Sequence, residues 1–343
     1  MDILFGPNDP GVGATLSAYE SVLVRQGKAE ATRVKYLHGV RAFLEWADGK
    51  PAREMSTLDI DLFLGSWEAE WERQTGSRPR RATVRSRIAA LRSFFAYLDR
   101  SGLLTDPSGL PARNPMAAVV APASEQRRND FLRPLEDAAL LECSSPAAER
   151  IVVWLLRWTG MRVSEACSLM LQDIDLTPGR QSLDIRRSKT AAGVRTLPIV
   201  PCLVPELESW LRHLASKGIT SPQAHLLATA TGSGFKPTFV WRLVKRAGER
   251  ADVRPVTCAC GSRLRTRHER SCPRTTSGEN VSAITPHTLR RTFGSYLLNK
   301  GLRLEVVSKL LGHSSTVVTE RAYAELLGTT IRDELLAVLD DFA

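Results

Sequence analysis

Cysteine is scarce in this sequence, six residues in 343. Three of them, Cys143, Cys167 and Cys202, stand alone among apolar neighbours and read as reduced core thiols in a reducing cytosol rather than as a disulfide framework. Long apolar runs are missing as well. None approaches the ~20 residues that span a bilayer, and Met1 to Pro10 shows no basic segment followed by an apolar one, so a soluble, unexported, cytoplasmic protein is expected. Acidic residues are in deficit, 37 against 47 Lys and Arg, for a formal charge of +10. Such a balance suggests a polyanionic partner, nucleic acid or an anionic membrane surface, and charge alone does not choose between them. There is no GxxxxGK[ST], no Gly-rich dinucleotide loop after a strand, and no HExxH or paired Asp constellation. Work on nucleic acid would then proceed without nucleotide hydrolysis or two-metal chemistry.

What is present is an ordinary globular chain, 43% hydrophobic, long enough for two domains. Residues 14 to 100 read as helices with no convincing strand: Tyr36, Leu37, Val40, Phe43, Leu44 and Ala47 recur at helical spacing, as do Val84, Ile88, Leu91, Phe95 and Leu98. The last of these helices carries Arg78, Arg80, Arg81, Arg85, Arg87 and Arg92 with no acid between Glu72 and Asp99. Arg81, Arg85 and Arg92 fall along one edge beside the apolar stripe, where they could meet phosphates or a groove; a solvated basic face is the plainer alternative. Pro107, Gly109, Pro111, Pro115 and Pro122 then break the pattern. The expected division is a helical domain over 1–110, a linker over 111–130 with the boundary near 125, and a second domain over 131–343.

In that second domain Ile151, Val152, Leu155 and Leu156 mark a buried helix that stops at Thr159-Gly160. A short helix follows, and Ser182 to Arg187 and Val194 to Ile199 look like paired strands. Everything after Pro205 returns to helix. The fold class is therefore mainly α with a small antiparallel β-sheet.

A basic set is scattered along this domain: Thr159-Gly160-Met161-Arg162-Val163-Ser164-Glu165, Ser188-Lys189-Thr190, Pro286-His287-Thr288-Leu289-Arg290, Leu311-Gly312-His313-Ser314, and Tyr323. Together and in this order they resemble the tyrosine recombinase (phage integrase) family. The helical first domain resembles that family's core-binding domain, so the resemblance covers nearly the whole chain.

Cleaving a phosphodiester without metal requires charge neutralisation at the non-bridging oxygens, and the planar forks of Arg162 and Arg290 suit that task. Pro286 fits the first turn of a helix, so His287 and Arg290 share a face. Arg162 and Glu165 are also three apart, and the resemblance lets Glu165 orient Arg162. Lys189 stands in the turn between the two strands. By itself such a lysine is merely solvated; the resemblance makes it the general acid for the departing 5′-hydroxyl. Arg195 is its neighbour but a poor proton donor. Gly312 is a helix-stop signal that sets His313 on a turn; by resemblance His313 bonds the scissile phosphate, while His287 helps to take the tyrosine proton.

Tyr323 is the candidate nucleophile, forming a 3′-phosphotyrosyl link. An ordinary core aromatic is the alternative, and Tyr296, in a run that looks packed, is the rival by proximity. The chain departs from the family in two places. Tyr323 lies ten residues after His313, one more than the commonest spacing, within a Thr-Glu-Arg-x-Tyr variant; Arg291 stands where a second histidine is most usual.

Cys258, Cys260, His268 and Cys272 sit in an insertion at about 254–280. Their set matches a structural zinc, the alternative being free thiols in a basic loop. The stretch Trp241 to Arg274, with Arg242, Lys245 and Arg246 at its start, forms a second basic surface that could help to clamp duplex DNA. The tail carries Leu326, Leu327, Ile331, Leu335, Val338 and Leu339 at helical spacing, a helix at about 328–343 for its own domain or for exchange with a neighbour.

The resemblance implies a nucleoid-associated site-specific recombinase. It would act as a homotetramer on two double-stranded DNA sites, through a four-way junction, with no catalytic cofactor and with an accessory DNA-bending or directionality protein as a further partner. A catalytically silent DNA-binding protein of the same fold is the rival from another class, and a relaxing topoisomerase is the rival enzyme.

Overall fold

The helical spacing of the first hundred residues becomes α1 (Pro10–Arg25), α2 (Glu30–Ala47), α3 (Thr57–Thr75) and α4 (Arg81–Arg100) in the computed structural model. The structure describes residues 4–5, 10–104, 110, 112–123, 130–188, 191–256, 282–313, 315–320 and 323. The chain divides into two units, 1–126 and 127–343.

In the first unit the predicted stripe of α4 (Val84, Ile88, Leu91, Phe95, Leu98) is buried against Leu37, Val40, Phe43 and Leu44 of α2, each such side chain stabilising the fold by about 1.5–3 kcal/mol. Phe43 meets Phe63 and Phe95 edge-on, at 5.2 and 5.6 Å between ring centres, the arrangement aromatic quadrupoles favour. Ser56 and Asp59 cap α3 reciprocally: the Ser56 amide donates to the Asp59 carboxylate (2.8 Å) and the Asp59 amide to the Ser56 hydroxyl (3.3 Å), satisfying two orphan donors.

Two expectations are corrected here. A short antiparallel pair, β1 (Leu4–Phe5) with β2 (Lys50–Pro51), exists where no strand was expected; two residues per strand are too few to leave an alternation in the sequence. Part of the expected linker is also packed. Asn114 accepts from the Met116 amide (2.9 Å) to start a 3-10 turn over Pro115–Ala117, and Met116 and Val119 are buried in the first unit's core. The apolar side chains between the prolines, not the prolines, decide where this segment lies.

The second unit is built around α6 (Ala147–Thr159), with α5 (Pro134–Cys143) before it and α7 (Val163–Ser168) after it. The sheet has three antiparallel strands, β3 (Ile174–Asp175), β4 (Ser182–Ile185) and β5 (Arg195–Pro198), in the order β3-β4-β5. Its second pairing is the expected hairpin, with Leu183 opposite Leu197 and Ile185 opposite Arg195; β3 was not anticipated. Helices α8 (Val204–Ser216), α9 (Pro237–Arg250), α10 (Pro286–Asn299) and α11 (Leu304–Leu311) follow, and α8, α9 and α10 all pack on α6.

The stretch after Pro205 is not all helix. Residues 217–236 form a loop whose bridges pair Met170 with His225 and Ala228 with Gly234. Of the lone cysteines, Cys167 is half-buried and packs against the second unit's core, Cys143 is half-buried, and Cys202 is exposed rather than a core thiol. Among the described residues no helix is long and apolar enough to cross a membrane.

Candidate active site

The end of α11 organises the site. The last carbonyls of a helix have no intrahelical partner and carry its partial negative charge. Here three successive ones accept from three different arginines. Arg195 Nε donates to Leu310 O (2.7 Å), Arg290 Nη2 to Leu311 O (2.5 Å) and Arg162 Nη2 to Gly312 O (2.9 Å). Gly312 caps α11 in the left-handed region with φ 65°, and the chain turns there into His313.

Each arginine arrives from an element whose local sequence fixes it. Arg162 is the residue before α7, and its amide donates to Glu165 Oε2 (2.9 Å) while its Nη1 donates to Oε1 (2.7 Å). Glu165 thus caps the helix and holds the guanidinium at once. Arg290 lies on α10, which opens with Thr285 accepting from the Thr288 amide (3.1 Å) and with Pro286 in its first turn, as the sequence indicated. Its Nη1 donates to Gly160 O (2.6 Å). Gly160 ends α6 with φ 59°, and a Cβ there would stand 2.3 Å from Phe293, so only glycine allows α6 and α10 to meet at this point. Arg195 begins β5.

Arg162 and Arg195 pair directly with one carboxylate, Glu165, and Arg290 feels its charge. The Glu165 side chain is fully buried. Burial alone would raise its pKa, but hydrogen bonds from Ser188 and from the backbone and side chain of Arg162, with the Arg195 charge, hold it below the usual range. The cluster keeps an excess of positive charge. Burial, then the nearby Arg162, pushes the Arg290 guanidinium down to about 10. Burial, then Arg290, Arg162 and Arg195, pushes the His313 imidazole down to about 4, leaving it neutral at pH 7. Its Nδ1 lies 2.7 Å from Thr319 Oγ1. A buried cation excess of this kind is a ready anion site.

Tyr323 is the core aromatic that the sequence left as an alternative, and it is beside the cluster. It is 2% exposed, packed with Phe293, Leu298, Val307 and Leu311. Its hydroxyl lies over Gly294, one turn beyond Arg290, where a Cβ would be 2.0 Å away. Burial pushes the phenol up to about 12, against the pull of Arg290 and Arg291. Tyr296, expected to be packed, is 38% exposed instead, its ring edge-on to Trp158 at 5.6 Å.

His287 is exposed on the first turn of α10, three residues before Arg290. Lys189 lies outside the described residues, as do Cys258, Cys260, His268, Cys272 and the tail over 324–343; the flanking Ser188 donates to Glu165 Oε1 (2.7 Å).

The other basic residues separate into two groups. Arg80, Arg81, Arg242 and Arg246 are exposed. Arg78 is exposed and pairs with Glu72 (3.3 Å), while Arg85 and Arg92 donate to Pro122 O (2.8 Å) and Val119 O (2.9 Å) from the exposed side of α4. Arg87 and Lys245 turn inward. Arg87 is half-buried over Trp67 (4.6 Å) and donates to Gly39 O (3.3 Å), and Lys245 donates to Ser282 O (2.5 Å). Both therefore hold the fold.

Arg195 is the site residue that sequence reasoning passed over, having weighed it only as a proton donor. Strand alternation was the available signal: Arg195 is in phase with the buried Leu197, an arginine on the core side of β5.

A buried arginine cluster beside a tyrosine, on a helical scaffold with a small hairpin sheet, defines an enzyme that breaks and rejoins DNA strands. Residues 131–328 match the phage integrase family, and residues 16–101 match the phage integrase N-terminal SAM-like domain. The chain belongs to the phage integrase family, the tyrosine recombinases.

A tyrosine recombinase of Pseudothermotoga lettingae is 28% identical over 296 residues, covering 85% of this chain and 86% of that one. Tyrosine recombinase XerC of Mycobacterium bovis is 29% identical over 312 residues, covering 90% and 92%. Among solved structures, the XerH site-specific recombinase in its post-cleavage complex with palindromic difH substrate aligns with a TM-score of 0.66 at 17% identity, over 95% of this chain and 85% of that one. A lambda integrase tetramer bound to a Holliday junction aligns at 0.64 and 20% identity, over 93% and 78%. These two likenesses are likenesses of fold.

Proposed function

We propose that this recombinase cuts each DNA strand by attack of the Tyr323 hydroxyl on phosphorus. The new bond is a 3′-phosphotyrosyl ester, the P–O5′ bond breaks, and the 5′ oxygen leaves with a proton. The observation that carries this reading is the convergence of Arg162, Arg195 and Arg290 on three successive carbonyls, with Glu165 paired to Arg162 and Arg195. Arg162 and Arg290 hold the non-bridging oxygens, supplying the preorganised charge that a pentacoordinate phosphorus needs. His313 adds a hydrogen bond to the same phosphate, His287 helps to accept the phenolic proton, and Lys189 gives its proton to the leaving 5′ oxygen. Glu165 positions Arg162.

The phosphotyrosyl ester stores the energy of the broken bond, so rejoining needs no nucleotide. No step is assigned to a metal; zinc on Cys258, Cys260, His268 and Cys272 would have all four positions filled and serve structure alone. Two pairs of strands exchanged in turn through a four-way junction, by four copies of the chain on two sites, complete the reaction. The Holliday-junction complex of lambda integrase supports that scheme through fold. The exposed arginines of α4 and Arg242 and Arg246 of α9 supply phosphate contacts.

The test is a nicked suicide duplex bearing sites from the DNA flanking the gene, incubated without metal or ATP. A covalent adduct of protein and DNA should form with the native chain and with Tyr296→Phe, and should be absent with Tyr323→Phe while DNA binding persists. An adduct in the Tyr323→Phe reaction sinks the assignment. Binding without any adduct from the native chain would favour the silent DNA-binding reading.

A further inference from the structure

Arg195 makes more connections than any step above uses. Its side chain is 9% exposed. Nε donates to Leu310 O (2.7 Å), Nη1 to Gly193 O (2.6 Å) and Nη2 to Glu165 Oε2 (3.3 Å). Those acceptors belong to three separate pieces of the site: the turn that carries His313, the hairpin between β4 and β5, and the carboxylate that holds Arg162.

The hairpin is gripped from its other side as well, because Ser188 Oγ donates to Glu165 Oε1 (2.7 Å). Glu165 therefore takes Ser188 and Arg162 Nη1 on one oxygen, and the Arg162 amide and Arg195 on the other. The contact with the His313 turn is close enough to exclude a side chain: a Cβ on Gly312 would stand 2.7 Å from Arg195 Nη1 and 3.0 Å from Gly193 Cα.

We propose that Arg195 is a positioning residue for the leaving-group step: by bridging Leu310 O, Gly193 O and Glu165 it fixes the hairpin against the phosphate-binding arginines, so that the hairpin's proton donor meets the departing 5′ oxygen. A planar guanidinium can serve three acceptors in different directions at once, which a lysine ammonium on a flexible stem does not reproduce. The proposal builds on the reading of Lys189 as the acid, and the two can be tested apart.

The experiment compares cleavage of two otherwise identical suicide substrates, one with the natural 5′ oxygen at the scissile phosphate and one with 5′ sulfur there. A thiolate leaves without a proton, because a thiol is an acid of pKa about 8.5. Arg195→Gln should slow cleavage of the oxygen substrate by about 10²-fold, and the sulfur substrate should bring it back to within about threefold of the native chain, a recovery that reports on proton delivery alone. Lys189→Ala run beside it reads the acid assignment.

Equal losses on both substrates for Arg195→Gln would overturn the proposal, because a defect in fold or phosphate binding ignores the leaving atom. Rescue of Arg195→Gln without rescue of Lys189→Ala would uphold the positioning role and reject Lys189 as the acid. The oxygen-to-sulfur rate ratio is independent of how much of a preparation is folded, so Arg195→Lys, which keeps a charge beside Glu165, answers the same question should Arg195→Gln fold poorly.

Discussion

Arginine does opposite work in the two units. In the first unit Arg80, just before α4, and Arg81, Arg85 and Arg92 on it are exposed, and Arg85 and Arg92 each donate to one nearby carbonyl. In the second unit Arg290 is buried, the Arg195 side chain is 9% exposed and Arg162 is half-buried, and all three converge on the end of one helix, two of them paired with Glu165. The first arrangement has little desolvation to overcome and can be screened by salt. The second holds an excess of positive charge out of water, a costly arrangement that a bound anion would relieve. A run of positive charge in a sequence therefore identifies a surface, whereas buried and unmatched positive charge identifies a site.

The sharpest way to break that contrast is to remove a buried arginine. Arg290→Met should lower the rate of covalent adduct formation by about 10³-fold, the scale expected when a preorganised donor to a developing charge is lost. Gly160 O and Leu311 O would each lose a partner, for about 1–3 kcal/mol apiece, so thermal melting should fall too. An adduct rate within tenfold of the native chain would remove Arg290 from the phosphate site.

The surface arginines should behave differently, and α4 contains its own control. Replacing Arg85 and Arg92 by Ala should flatten the dependence of log K on log salt by about 0.9 for each phosphate no longer neutralised while leaving cleavage at saturating DNA unchanged. Arg87→Ala on the same helix should leave the salt slope alone and destabilise the first unit by about 1 kcal/mol, through the Trp67 contact and its buried stem. A salt slope that moved equally in both variants would mean that burial does not separate the two roles.

Most of this was legible because it is periodic or local. Helical spacing identified the α4 stripe, Thr159-Gly160 marked the end of α6, and the Pro286 signal opened α10. The capping by Glu165 follows from its place three residues after Arg162. What the sequence did not reveal depends on contacts far apart along the chain. Nothing near Arg195 announces that its partners are Glu165 and Leu310, thirty residues before it and more than a hundred after it. Tyr296 stands in an apolar run and Tyr323 between Arg321 and Glu325, yet packing across α10 and α11 exposes the first and buries the second. The packed stretch around Met116 was hidden for the opposite reason: its prolines speak strongly for local breaks, while the core that holds it is assembled from other helices.

The smallest effect reads the surroundings of His313, its burial first and the charges of the cluster second. With an ordinary pKa of 6.5 and a folded value of about 4, His313 binds its proton more readily in the unfolded chain throughout that interval. Stability is then complete above pH 6.5 and declines as pH falls toward 4. Burial is the largest cause; Arg290 on α10, Arg162 before α7 and Arg195 on β5 lower the proton affinity further, and Glu165 opposes them. His313→Asn should lose part of that acid sensitivity. In the native chain an NMR titration of the imidazole should find it neutral down to about pH 4, and a bound phosphate diester, by balancing the arginines, should move the midpoint upward. A free-protein midpoint near 6.5 would mean that neither burial nor the three guanidiniums act on His313, and the contrast with the exposed arginines of α4 would lose its readout at this residue.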